Sequence, residues 1–518
     1  MAQLQFDLED LQELVKTGKK EAMDTLTMLG FPTEETEDGQ LNVEVTPNRP
    51  DCLCVEGLAR VLKCHMSGKP APYKIGKSDV SVVVDKSVLQ VRPSFAAAVV
   101  KNVKMTDSLL RSLMQVQEKL HETLGRKRRK AAIGIYDLDT VEPPFRYFAC
   151  GRKDVSFVPL ESSEKMTPEK ILERHPKGIS YAHLVGERCP MITDRNGKAL
   201  SFPPIINSED TKLNGKTRNL FIESTGSSDD ASGQCVNIIC AMLADRGGKV
   251  EGIKINGNAY PLLQESRWKV PVKEAEKLLG IKLGVAQAGR LLSKMGHRVV
   301  GNSVYVPGYR TDVMNAVDLI EDIAIAYGFN NFEPRLPDVS TVGKGLAEPE
   351  YYGLLLGLGF EEVVTWTLAN PSLAAKAKLP RQQAIEIENP LTEDFTIFRQ
   401  ALLPNLLAVL SEGKNEKLPI KVYELGPVGT PGMQQRLAIA SMHPKASFSE
   451  IKGVVQALAE SLGKKLELVA EEFGPFVKGR CAAVYLDGKK TGYLGEIAPG
   501  VLADFNLEQP SCAAEFSV

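Results

Sequence analysis

The sequence predicts an α+β protein of several domains, and three observations carry that expectation. At 518 residues the chain is too long for one hydrophobic core, so about three or four domains are expected. Hydrophobic residues at 43% and charged residues at 25% are ordinary for a folded chain and exclude the disordered and fibrous classes. Short helical and strand patterns then follow one another along the chain, punctuated by proline and glycine.

The first domain, 1–90, opens with an amphipathic helix in DLQELVKTGKKEAMDTLTMLG that closes at Gly30. A strand follows in LNVEV, where Leu41, Val43 and Val45 alternate; it stops because Pro47 and Pro50 cannot donate ladder hydrogen bonds. A second helix occupies CLCVEGLARVLKC, and SGKPAPYKIGKSD, rich in Pro, Gly and Lys, marks a boundary. From 91 to 265 short strands predominate, with one clear helix in GQCVNIICAMLADRGG. Val236, Ile239, Cys240 and Leu243 share its apolar face, and Gly247 and Gly248 end it. Residues 266–342 hold two short helices, VPVKEAEKLLGI and GVAQAGRLLSKMGHRVV, then a strand and an acidic helix, a layout like helix-turn-helix or winged-helix modules. Residues 343–518 alternate helices with strands and end in a hairpin, RCAAVYL and TGYLGEI around DGKK. An antiparallel sheet with helices packed against it is expected there.

Composition narrows the function. The first residues lack a basic segment followed by an apolar run, and nowhere do about 18 apolar residues follow one another, so a cytoplasmic protein without a membrane span is expected. Nine scattered cysteines read as reduced thiols. Cys52, Cys54, Cys64 and His65 lack the usual zinc spacing, and a buried helix face suits them better. No P-loop, H-E-x-x-H or G-x-S-x-G motif occurs. A net charge of −2 excludes binding nucleic acid through bulk charge, so any such contact is local. The candidate is Arg126, Lys127, Arg128, Arg129 and Lys130 in GRKRRK, which also reads as a solvated basic turn.

Two polar clusters stand out. In YRTDVMNAVDLIEDIAIAYGF, Asp318, Glu321 and Asp322 fall at i, i+3 and i+4 of a helix, apart from the apolar stripe of Leu319, Ile323 and Tyr327. Their mutual repulsion is offset in part by the helix dipole, or more fully by magnesium with Asp312 added from the loop; a solvated helix face is the alternative. Further back, Ser201, Asn207, Ser208, Glu223 and Thr225 interleave with apolar residues, which reads as strand, turn and strand, or as the lining of a pocket.

The order of these segments is more specific than any one of them. EVTPNRPDCLCVEGLARVL, HETLGRKRRKAAIGIYDLDTVEPPFRY, FPPIINSEDT with TRNLFIESTG, YRTDVMNAVDLIEDIAIAYGFNN and IENPLTEDFTIFRQALLPNLL together resemble the β subunit of phenylalanyl-tRNA synthetase. The match runs along the whole chain, whose length, without an OB-fold insertion or an anticodon-binding extension, is similar to the archaeal and eukaryotic cytosolic form. The resemblance implies a class II ligase, an (αβ)₂ heterotetramer in which the α subunit binds ATP and phenylalanine and this chain helps bind phenylalanine tRNA. Its 343–518 domain is then a class II catalytic-like fold without catalytic motifs, since no G-x-G-x-x-R segment follows the hairpin to cradle ATP phosphates.

The 91–265 domain resembles the family's editing module, which hydrolyses tyrosine mischarged on phenylalanine tRNA. By motif position Ser201, Asn207, Glu223 and Thr225 line that pocket, with Glu223 where relatives often carry Asp. The 266–342 domain resembles the family's magnesium domain, whose pattern R-x-D-(x5)-D-x-x-E-[ED] reads here as Arg310, Asp312, Asp318, Glu321 and Asp322, the last being Asp rather than the usual Glu. Mg2+ is therefore the expected cofactor. A free-standing tRNA-binding regulator or an independent deacylase is the alternative reading.

Overall fold

The structure, a computed structural model, describes residues 2–517 except 71, 337–342, 344, 346–349, 380–383, 414 and 430–431; the expected boundary at 342/343 lies outside the described residues. The chain divides into two compact units, Met1–Leu336 and Pro337–Val518.

In the first unit a strand at Ala2–Phe6 pairs with Leu41–Val45, which also pairs with Thr33–Glu35. The strand stops at Val45, where the prolines predict. The single helix expected before it is two, Leu8–Val15 and Lys19–Met28. The break comes from Lys16, which takes a left-handed φ of 61° and closes the first helix through its N–H to Gln12 O, a C-terminal capping geometry. Gly18 then starts the second. The helix Val55–Ser67 follows, and all nine cysteines are free and buried.

Leu220–Gly226 runs in a mixed sheet between Ser94–Lys101 and Ala131–Asp137, antiparallel to both. Side chains alternate across such a strand, so Phe221, Glu223 and Thr225 share one face. Phe221 meets Phe145 of a second, five-stranded sheet at 4.4 Å between ring centroids, so that face looks toward the second sheet. The helix Asp229–Asp245 buries the predicted Val236, Ile239, Cys240 and Leu243. Two short strands, Gly76–Lys77 and Val82–Val84, leave the proline-rich stretch to join these sheets.

Buried ion pairs tie the first 90 residues to this body. Arg246 donates to both oxygens of Asp10, at 2.8 and 2.5 Å, and to Glu56 Oε1 at 2.7 Å. Arg60 donates to Asp245 at 2.9 Å and lies 4.2 Å from the Tyr309 ring centroid. Because a buried charge is tolerated only beside its partner, these pairs fix how the segments meet. Residues 266–336 form a three-stranded antiparallel sheet, Ser266–Lys269, Ser303–Val306 and Arg298–Val300, with helices Val272–Leu279, Val285–Lys294 and Ala316–Tyr327. Leu292, Val304, Leu319 and Ile323 fill its core.

The second unit is built on a seven-stranded sheet, antiparallel but for its short edge strand Glu361–Glu362. Helix Leu403–Glu412 packs with Ala438, Ala440 and Ala513, while helix Phe448–Ser461 packs with Leu437, Ile439 and Ala514, so alternate residues of the same strands serve two cores. The predicted hairpin joins Phe476–Leu486 to Lys489–Ile497 through Asp487 and Gly488, whose φ values of 52° and 80° are those a tight two-residue turn needs. The sheet does not end there. Helix Pro499–Asp504 leads to a further strand, Ser511–Ser517, inserted between Met433–Met442 and Lys489–Ile497.

Candidate functional site

Ser201, Asn207 and Glu223 come together on the wall of one cavity of about 400 Å³, closed on another side by the helix Asp107–Glu122. The Tyr136 hydroxyl bridges two of them, 2.8 Å from Glu223 Oε1 and 2.7 Å from Ser201 Oγ. Glu223 Oε2, equally buried, has no hydrogen-bond partner. Burial pushes the Glu223 carboxyl up to about 8, against the pull of the Tyr136 hydrogen bond and the Arg92 charge. At neutral pH the group is therefore mostly protonated and offers the cavity a polar atom in need of a partner.

The other two predicted polar residues do something else. Thr225 Oγ1 accepts from Arg92 Nε at 2.9 Å, and Arg92 also donates to Thr225 O and Arg128 O. Thr225 thus anchors a buried arginine and is not on the cavity wall. Ser208 caps the short helix Glu209–Thr211, its Oγ accepting from Asp210 N at 3.3 Å. Sequence reasoning missed Tyr136, Gly134 and Arg92. Alternation in AAIGIYD puts Ala132, Gly134 and Tyr136 on one face, which was the available signal.

Gly134 lies opposite Glu223 in the sheet, and a Cβ there would sit 2.0 Å from the Tyr136 hydroxyl and 2.3 Å from Glu223 Oε1. Gly134→Ala is expected to push both groups off their positions and to cost about 1–3 kcal/mol, the range for overpacking, which urea denaturation measures. An unchanged midpoint would mean the carboxyl and phenol are free to move.

The basic run divides. Arg126, Lys127 and Arg128 all take left-handed φ values, 48°, 55° and 65°. Arg128, expected to meet RNA, turns inward instead: it donates to Pro204 O and Ile205 O at 3.2 and 3.0 Å, pairs with Glu118 at 3.1 Å and stacks over Tyr181. Its long apolar stem makes that burial possible. Arg126, Lys127 and Arg129 stay exposed, and Lys130 is half-buried.

The acidic set also divides. Arg310, itself buried, donates to both oxygens of Asp312 at 2.8 and 2.7 Å and to Asp322 Oδ2 at 2.8 Å. The same Asp322 oxygen lies 2.6 Å from His297 Nε2. Burial opposes ionisation of Asp322, but the Arg310 guanidinium and the His297 hydrogen bond outweigh it and hold its carboxyl well below the usual range. Asp318 closes a capping box, accepting from Met314 N and Asn315 N at 2.8 and 2.6 Å, while Glu321 is exposed. Among the described residues no group of three or more His, Cys, Asp or Glu side chains is gathered to hold a metal ion. The four acids expected to share Mg2+ therefore do not fit one ligand set, because Arg310 already neutralises two of them.

Residues 335–518 match the family profile described as phenylalanyl tRNA synthetase beta chain CLM domain, and residues 268–329 match that of the tRNA synthetase B5 domain. The phenylalanine–tRNA ligase beta subunit of Archaeoglobus fulgidus is 38% identical, over 98% of this chain and 97% of that protein. The chain belongs to the phenylalanine–tRNA ligase beta subunit family. Another beta subunit, from Methanothrix thermoacetophila, is 37% identical over 98% of each chain. A crystal structure of an N-terminal fragment of the phenylalanyl-tRNA synthetase beta-subunit from Pyrococcus horikoshii superposes with a TM-score of 0.59 at 32% identity, covering 63% of this chain and 99% of the fragment. The segments that carried the resemblance in sequence thus lie within a similarity to beta subunits that covers nearly all of this chain. Among the described residues no helix is long and apolar enough to cross a membrane.

Proposed function

We propose that this chain is the supporting subunit of an (αβ)₂ class II ligase that attaches phenylalanine to its tRNA in the cytoplasm, and that its 91–265 domain removes tyrosine attached by mistake. The observation that carries the editing reading is the cavity with its buried, half-satisfied Glu223. A synthetic pocket for phenylalanine rejects an added hydroxyl by only about a hundredfold, so a second sieve is useful. In this cavity tyrosine's phenol pairs with Glu223 Oε2, whereas phenylalanine leaves that atom unpaired at a cost of about 1–3 kcal/mol. Arg126, Lys127 and Arg129 are the proposed contacts to RNA phosphates, supported by their exposure on the turn that Arg128 anchors beside the cavity.

The antiparallel sheet of the second unit, with helices on both faces, supports a class II-like domain, and the missing G-x-G-x-x-R segment supports its catalytic silence, with ATP bound by the α subunit. The acids of residues 266–336 do not form a magnesium donor set as a whole, because Arg310 holds Asp312 and Asp322. Buried free cysteines suit a reducing compartment.

The test is reconstitution. The chain alone is expected to attach no phenylalanine, to do so once mixed with an α subunit, and as the mixed enzyme to release tyrosine from mischarged phenylalanine tRNA. Absence of charging on mixing would remove the subunit reading, and stable tyrosyl-tRNA would remove the editing one.

A further inference from the structure

His121, on the helix Asp107–Glu122, lines the same cavity and is only 4% exposed. Its Nε2 accepts the Ile133 N–H at 2.8 Å, so that nitrogen carries no hydrogen. Burial holds the imidazole below its ordinary pKa and keeps it neutral, and the single ring hydrogen then sits on Nδ1. Nδ1 is buried and makes no hydrogen bond of good geometry. The charged groups facing it are Glu118, whose Oε2 lies 3.5 Å from Nδ1 in a long contact that helps draw the Glu118 carboxyl down, and Arg128, which is paired with that same Glu118. Ile133 precedes Gly134, the residue across from Glu223, so the His121 ring is hydrogen-bonded one rung along the sheet from the Glu223 carboxyl. The remaining orphan atom on the wall, Arg128 Nε, belongs to a guanidinium held by Glu118, two carbonyls and Tyr181.

A cavity open to one side, with a carboxyl for a phenol and a separate N–H for an acceptor, offers a group to each end of a tyrosyl ester. We propose that His121 donates its Nδ1–H to the carbonyl oxygen of that ester and is a catalytic residue of its hydrolysis; the assignment rests on the editing reading. Water adds to the ester carbon and pushes an electron pair onto the carbonyl oxygen, where the His121 N–H stabilises the developing charge. Collapse restores the carbonyl and breaks the bond to the ribose oxygen, which takes up the proton given up by the water, leaving tyrosine and a free RNA end. His121 keeps its proton throughout. It cannot act as general base, because its only acceptor nitrogen is engaged by Ile133.

Two variants of the reconstituted holoenzyme separate this role from packing. H121Q can still accept from Ile133 but has no donor at the Nδ1 position; H121N supplies that donor but leaves Ile133 without an acceptor. For tyrosine release from mischarged phenylalanine tRNA, H121Q is expected to lower kcat by about a hundredfold, the scale for one oxyanion donor, with KM, melting temperature and phenylalanine charging unchanged. H121N is expected to melt earlier yet keep kcat within about tenfold of the native enzyme while folded. The proposal is overturned if H121Q hydrolyses at the native rate, if only KM changes, or if H121N loses as much kcat as H121Q. A histidine limb that disappears from the pH profile in H121Q would also overturn it, since it would mark a base. Native holoenzyme that releases no tyrosine would instead overturn the editing reading beneath it.

Discussion

Asp322→Ala is expected to destabilise the chain by about 3 kcal/mol, near the low end for breaking a buried ion pair, with or without magnesium. The loss comes from Arg310 and His297, both buried, which lose the acceptor they share; Asp312 still pairs with Arg310, which keeps the cost from being larger. The sign with pH follows from the depressed carboxyl. Asp322 contributes its stability above the ordinary aspartate range and loses it as pH falls toward its folded value, so the native-minus-variant gap narrows in acid. Urea denaturation at several pH values, with chelator and with millimolar magnesium, measures it. If chelator alone destabilises the native chain as much as the substitution does, a cation and not Arg310 holds these acids. Asp318→Ala serves as the comparison, with an expected cost of about 1 kcal/mol from the lost capping box.

The second large effect is expected at Glu223. Glu223→Ala removes the carboxyl beside Tyr136 and leaves that phenol with Ser201 alone, and tyrosine release should fall by more than tenfold, on the scale of one hydrogen bond to a buried group. Glu223→Gln keeps an acceptor for Tyr136 and a donor toward the cavity, so near neutral pH it should retain much of that activity. The two diverge with pH. The folded carboxyl titrates at about 8 against an ordinary 4.5, so the proton held in the fold stabilises it fully below about 4.5, and that stability drains away as pH rises through 8. The stability of Glu223→Gln relative to native, read from urea denaturation, should therefore climb between about pH 5 and 8, by a few kcal/mol at most, and then level. A gap that does not change with pH would mean the carboxyl titrates normally and is wet.

Local chemistry was legible and long-range pairing was not. The strand at Leu41–Val45, the helix face of Val236 and Leu243, and the Asp487–Gly488 hairpin are each set by neighbours a few residues apart. The strands Ala2–Phe6 and Ser511–Ser517 exist because of partners far along the chain, and nothing within five or seven residues announces them. The site follows the same rule. Resemblance put Ser201 and Glu223 together, but the phenol that joins them comes from Tyr136, 65 positions before Ser201. Helical spacing placed Asp318, Glu321 and Asp322 on one side and made a cation attractive; the counter-charge was Arg310, twelve positions before Asp322, at the head of the same stretch. Arg128 read as surface charge because a side chain's direction is decided by what lies beneath it, here the carbonyls of Pro204 and Ile205.

The place of Ser511–Ser517 in the second unit bears on how the chain is made. The ribosome delivers this strand after every other strand of the sheet, yet it belongs in the middle, hydrogen-bonded on both sides. Until it emerges, Met433–Met442 and Lys489–Ile497 present unpaired edges to solvent, the kind of surface that invites pairing with another chain. Without those seven residues the sheet cannot close, and its two inner edges stay open to pairing with another chain.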